Sequence, residues 1–185
     1  MTQLYDIIKD ININNVENFI ETGCHIGNGI QCAINNNIKN IYSCDIHEPY
    51  VKECNKKFFD RASIFNMDSI SFLNFILPKI KCKTLFWLDA HFPKSYGLDY
   101  YNDEYKFPLF EEIKTIFKLK DSYKNDIFII DDIHVFTKDN PYYSKNNDYE
   151  IIDLSLKKLY DCFYEFINIS ILDIGEKVLI IESIN

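Results

Sequence analysis

Apolar residues in this chain fall into short runs, and the stretches between the runs have helix length and, in places, helical spacing. The alternation is regular from Val16 onward. The runs Glu17–Glu21, Asn40–Asp45, Ala62–Asn66, Lys83–Asp89 and Asp126–Ile130 predict strands, and residues 27–36, 49–59, 69–76, 108–119 and 150–163 predict helices. Pro49 suits the first turn of its helix, where a missing N–H costs nothing. Strands that are apolar almost throughout, interleaved with helices, imply a parallel sheet covered on both faces. Two closing runs, Ile167–Asp173 and Lys177–Ser183, meet at Gly175-Glu176 and predict a hairpin. The expected class is α/β. Residues 1–15, with a short helix over Leu4–Lys9 and an Asn-rich turn, read as an N-terminal extension to a domain spanning 16–185.

Two polar stretches interrupt the alternation, His91–Phe107 and Val135–Tyr149. Irregular segments of that length in a compact domain are more often functional than idle, and the Tyr-rich part at 96–105 reads as a substrate lid.

The candidate chemistry lies at the ends of the strands. Three of the five glycines, Gly23, Gly27 and Gly29, follow the first strand, where a turn into a helix lets backbone approach a ligand closely. The second strand ends at Asp45, 22 residues beyond Gly23, a distance at which a carboxylate can accept hydrogen bonds from ribose hydroxyls. Two further strands stop at acids, Asp89 and the pair Asp131-Asp132, and His91 and His134 follow each by two residues. Ligands of open α/β sheets bind at the carboxyl ends of the strands, so these groups are expected to face one crevice. Carboxylates crowded there repel one another unless a cation offsets them. Asp89, Asp131 and Asp132 are therefore candidate ligands for Mg²⁺ or another divalent cation, and His91, His134 and Asp89 are candidate catalytic groups.

Composition narrows the classes. A length of 185 residues suits one domain, and 47% hydrophobic residues argue for a packed core. Twenty Lys and Arg against 28 Asp and Glu give a net charge of −8, and Arg61 is the only arginine, which argues against a nucleic-acid partner. Six cysteines without a C-x-x-C pair read as reduced, mostly buried thiols. No basic-then-apolar leader and no apolar run near ~18 residues are visible. The expectation is a cytoplasmic protein without a membrane partner, its oligomeric state open and a homodimer compatible.

The element order, the closing hairpin and the residues Glu21-Thr22-Gly23-Cys24-His25-Ile26-Gly27, Cys44-Asp45-Ile46-His47-Glu48, Trp87-Leu88-Asp89-Ala90-His91, Pro108-Leu109-Phe110-Glu111-Glu112 and Ile130-Asp131-Asp132-Ile133-His134 resemble the class I S-adenosylmethionine-dependent methyltransferases. The likeness is greatest to their small-molecule and sugar O-methyltransferase branch and covers the chain from Val16 onward. It implies a single-domain, Rossmann-like, doubly wound, mostly parallel seven-stranded sheet with an antiparallel C-terminal hairpin. It also implies S-adenosylmethionine as cofactor, bordered by Glu21, Thr22, Gly23 and Gly27, with Asp45 at the ribose, Asp68 at the adenine amino group and Asp89 beside them. The implied reaction is methyl transfer to a hydroxyl of a small acceptor, a sugar or nucleotide sugar, in some relatives with a divalent metal. Two departures stand out: His25 occupies the place of a second glycine, and Asp89-Ala90-His91 is shorter than the Asp-Gly-Asp-His of many relatives. Other readings stay open. Asp68 also suits a helix N-cap, Glu111 and Glu112 suit the first turn of a helix, and the domain could bind without catalysing. A nucleotide-dependent oxidoreductase fits less well, because the G-x-G-x-x-G spacing is absent and the closing hairpin is unexplained.

Overall fold

The computed structural model describes residues 4–90, 108–133, 156–164, 168–174 and 176–182. The chain runs α1 (Leu4–Ile8), β1 (Asn18–Thr22), α2 (Asn28–Asn35), β2 (Asn40–Asp45), α3 (Glu48–Lys57), β3 (Ser63–Asn66), α4 (Ser69–Ile76), β4 (Thr84–Leu88), α5 (Leu109–Leu119), β5 (Ile127–Ile130), α6 (Leu156–Cys162), β6 (Asn168–Ile174) and β7 (Glu176–Glu182). Single 3-10 turns follow α4 at Leu77–Lys79 and precede β5 at Tyr123–Asn125. Most bounds lie within one or two residues of the periodicity. The helix expected over 150–163 is described from Leu156, and its first six expected residues lie outside the described ones.

The strands form one sheet in the order β3-β2-β1-β4-β5-β7-β6. Five of them run parallel; β7 returns antiparallel to β5, and β6 pairs antiparallel with β7. The order reverses between β1 and β4, a switch point that opens a crevice beyond the carboxyl ends of both strands. β1, β4 and β5 are buried at every position; β5 is wholly apolar and β4 carries only Thr84, whereas β1 buries Asn18, Glu21 and Thr22.

Alternate strand residues feed two cores. Ile20, Phe86, Leu88, Phe128 and Ile130 pack under α4, α5 and α6, where Phe128 stacks on Phe86 with ring centroids 5.0 Å apart. Phe19, Ile41, Leu85, Trp87 and Ile127 face the other side, under α1, α2 and α3. Residues 4–11 take part in this packing. Leu4, Ile7, Ile8 and Ile11 are buried in the second core, and the Tyr5 hydroxyl accepts a hydrogen bond from Asn35 Nδ2 at 2.8 Å. Burying a side chain such as Ile7 is worth about 1.5–3 kcal/mol, so these four residues add to the stability of the second core.

Candidate cofactor and active site

Register decides what the strand ends share. Thr22 is level with Cys44 on one side and with Leu88 on the other, and Leu88 is level with Ile130. The next residues, Asp45, Gly23, Asp89 and Asp131, therefore stand in a row along one edge of the sheet. The ladder continues into that row: the Asp89 amide donates to Thr22 O at 3.1 Å, and the Asp131 amide to Leu88 O at 3.3 Å.

Gly23 has φ +88°, and a Cβ there would lie 2.8 Å from the backbone oxygen of Asp89. Only glycine permits this approach of the loop to the end of β4. The amides of Gly23 and Cys24 do not face a ligand, because both donate to Cys44 O at 3.0 and 2.9 Å. Gly27, expected at the cofactor, has a packing reason for its identity. Its φ is +83°, and a Cβ would meet Phe58 Cε2 at 2.5 Å. Gly29 is the residue the motif reading missed. A Cβ on it would lie 1.9 Å from Glu21 Oε1, so its bare Cα makes the room that the Glu21 carboxyl group occupies. The signal was present as a third glycine in the run, but only the fold of α2 over β1 shows its use.

Glu21 is 2% exposed, and its Oε2 accepts the Ser43 hydroxyl at 2.6 Å. Burial holds its carboxyl well above the usual range; Ser43 opposes this, while Asp89, Cys54 and Asp45 add to it. Asp45 is tied to the loop that lines the cleft. Its Oδ2 accepts the His25 amide at 3.0 Å and its Oδ1 the His47 amide at 2.8 Å, and each oxygen keeps a further lone pair for a ribose hydroxyl. His25 has φ +44°, the left-handed conformation a glycine would adopt freely. The bond to Asp45 and an edge-on contact with the Tyr50 ring at 4.7 Å hold it there. Tyr50 also meets His47 at 4.5 Å. Glu21, Gly23, Gly29, Trp87 and Asp89 line one cleft with the loop.

Other expected residues fall elsewhere or serve other ends. Thr22 is fully buried, and its hydroxyl accepts from the Asp89 amide at 3.3 Å, so it ties two strand ends together. Asp68 caps α4 by accepting the Ser71 amide at 2.8 Å. Asp131 is buried and accepts the amide of Asp132, which has φ +54°, at 2.9 Å. Among the described residues no three His, Cys, Asp or Glu side chains gather into a group that could hold a metal ion. The three-acid site expected from Asp89, Asp131 and Asp132 is thus not formed by these residues alone. Neighbouring strands stand about 4.8 Å apart, which spreads strand-end acids along an edge, and the Asp131 carboxylate turns back onto its own loop. His91, His134 and the lid at 96–105 lie outside the described residues. All six cysteines are free, with Cys24, Cys32, Cys44 and Cys54 buried. No described helix is long and apolar enough to cross a membrane.

The residues present fit S-adenosylmethionine. Glu21, seated in the room Gly29 leaves, and Asp89 line a cleft whose carboxyl groups suit the cofactor's cationic end, and Asp45 keeps acceptor capacity for hydroxyls. No family model matches the sequence, nor does any curated protein. Solved structures do match. A Staphylococcus aureus protein of proposed caffeoyl-CoA O-methyltransferase activity superposes with a TM-score of 0.68 at 14% identity, over 99% of this chain and 85% of its own. A Streptococcus mutans protein in complex with S-adenosylhomocysteine superposes with a TM-score of 0.65 at 10% identity, over 100% and 99%. The S-adenosylhomocysteine-bound Podospora anserina methyltransferase PaMTH1 gives 0.61 at 15% identity, over 91% and 72%. Strand order, glycine loop and strand-end acids together give this chain the fold of the class I S-adenosylmethionine-dependent methyltransferases.

Proposed function

We propose that this protein transfers the methyl group of S-adenosylmethionine to a hydroxyl of a small acceptor, with a sugar or nucleotide sugar as the acceptor class. The observation that carries the reading is the cleft at the switch point, where Gly29 gives room to a buried Glu21 beside Gly23 and Asp89. When bound, the cofactor supplies an electrophilic methyl on a sulfonium. The chain's own work is to position and to move a proton. Asp45 holds the ribose, Glu21 meets the amino-acid end, and Asp68 reaches the adenine while capping α4. Asp89 borders the cofactor and stands beside the route of the acceptor. His91 or His134 takes the proton of the acceptor hydroxyl, and the tyrosines at 96–105 exclude water. Orientation of this kind is worth about 7–11 kcal/mol of barrier in well-placed intramolecular reactions.

A thermal-shift series with S-adenosylmethionine, S-adenosylhomocysteine, NAD and NADP tests the cofactor. The two adenosyl ligands are expected to stabilise the fold by about 2.7 kcal/mol at 100 times their Kd, and the dinucleotides not at all. Release of S-adenosylhomocysteine in the presence of sugars, nucleotide sugars and phenols then identifies the acceptor class. Stabilisation by NAD or NADP alone overturns the reading; binding without turnover across the acceptors favours a non-catalytic domain.

A further inference from the structure

Glu21 projects from the buried β1 into the face covered by α2 and α3, and among the described residues no cation stands against it. Its Oε2 takes the Ser43 hydroxyl at 2.6 Å, and its Oε1 lies in the recess over Gly29. The groups around it come from every packed element. β2 contributes Cys44 and Asp45, the end of β4 Asp89, α2 Cys32 and α3 Cys54. All of these are neutral or negative. His25, which can carry a positive charge, sets its ring against Tyr50. Among the described residues, those lining the cleft include no lysine or arginine. A bare carboxylate here would be both desolvated and repelled, and burial accordingly pushes the Glu21 carboxyl well up.

Resting on the cofactor reading above, we propose that Glu21 is a proton-coupled anchor: a neutral carboxylic acid in the ligand-free protein that gives its proton to solvent when the ammonium-bearing end of the cofactor enters the cleft. The step balances simply. The carboxyl O–H bond breaks, the proton passes to a buffer base, and the carboxylate becomes the counter-ion of the incoming ammonium. Ser43 is already in place to donate to that carboxylate, and Gly29 keeps Oε1 free of a Cβ. Cofactor affinity then carries a pH dependence that belongs to the protein: it rises with pH until Glu21 is ionised in the free form as well.

Isothermal titration calorimetry with S-adenosylhomocysteine, run at about pH 7 in buffers of small and large ionisation enthalpy, reads the proton directly. The wild-type protein is expected to release up to one proton per ligand bound, and its affinity to climb with pH by as much as about tenfold per unit for as long as Glu21 is protonated in the free form. Glu21→Gln, which keeps an acceptor for Ser43 and has no proton to lose, is expected to bind with heat that does not depend on the buffer. Wild-type binding with buffer-independent heat, or a Glu21→Gln protein that releases as many protons, overturns the proposal. If Glu21→Gln does not fold, the wild-type pH series decides, and a flat affinity overturns it. Failure of the wild-type protein to bind either S-adenosylhomocysteine or S-adenosylmethionine overturns the cofactor reading itself, a result distinct from binding without proton release.

Discussion

Asp45 accepts two backbone amides, those of His25 and His47, so this one carboxylate organises the loop before α2 and the turn before α3, in addition to the ribose contact proposed for it. Asp45→Ala is therefore expected to act twice. Loss of charged hydrogen bonds lowers stability by about 1.5–3 kcal/mol, and cofactor affinity falls with it. Urea unfolding and calorimetric titration of the same sample separate the two losses. An unchanged affinity in a destabilised but folded variant would leave Asp45 as a loop organiser only. His25 has adopted a glycine's conformation for the sake of the same contact, which explains how a non-glycine residue is tolerated in the run.

At the scale of the element, the start of α2 separates two glycines that look alike in the sequence. Gly27, at the N-cap with φ +83°, gives way to the Phe58 ring, while Gly29, one residue inside the helix, gives way to the Glu21 carboxyl. Gly27→Ala is expected to cost about 2 kcal/mol or more, from left-handed backbone and overpacking against an aromatic ring. Gly29→Ala meets only the end of a flexible side chain, so its fold should survive with Glu21 turned aside. Thermal melts and cofactor titration of both variants are expected to show a lowered Tm for the first and a weakened Kd for the second. The reverse pattern would assign Gly27 to the ligand and Gly29 to packing.

Across the whole molecule, the end of the sheet opposite the cofactor cleft is closed by a buried ion pair. Lys120 Nζ lies 2.7 Å from Asp126 Oδ2 and also donates to Oδ1 and to Ser122, while Asp126 Oδ1 accepts the Thr84 amide that opens β4. Lys120→Met removes the cation and leaves a buried carboxylate, which is expected to cost about 3–5 kcal/mol at neutral pH. Burial outweighs Lys120 and pushes the Asp126 carboxyl up to about 6. The folded state therefore holds a proton that the unfolded chain, with a carboxyl near ~3.9, has lost. This group's contribution is fully present below about pH 4 and is lost as pH rises through about 6. Chemical denaturation across that window should show the slope in the wild-type protein and its loss in Asp126→Asn. An identical slope in both would assign it to other groups.

Local periodicity was enough to locate the elements, because a strand buried on both faces must be apolar along its length and a covering helix must repeat near 3.6 residues. The run Thr84–Leu88 and the helix Ser69–Ile76 are legible for that reason, and so is the edge of the sheet at which Gly23, Asp45, Asp89 and Asp131 end their strands. What no window of sequence contains is which distant residues become neighbours. Register made a row of the strand-end acids where crowding had been expected, and the packing of α2 over β1 turned Gly29 into the recess for Glu21. The same holds for the segment at Leu4–Ile8, whose five residues are too short to declare a buried face, and for Asp126, whose bond to the Thr84 amide spans 42 residues. Strand and helix follow from the order of apolar and polar residues; contacts between elements follow from how the chain closes on itself, and the candidate site is made of those contacts.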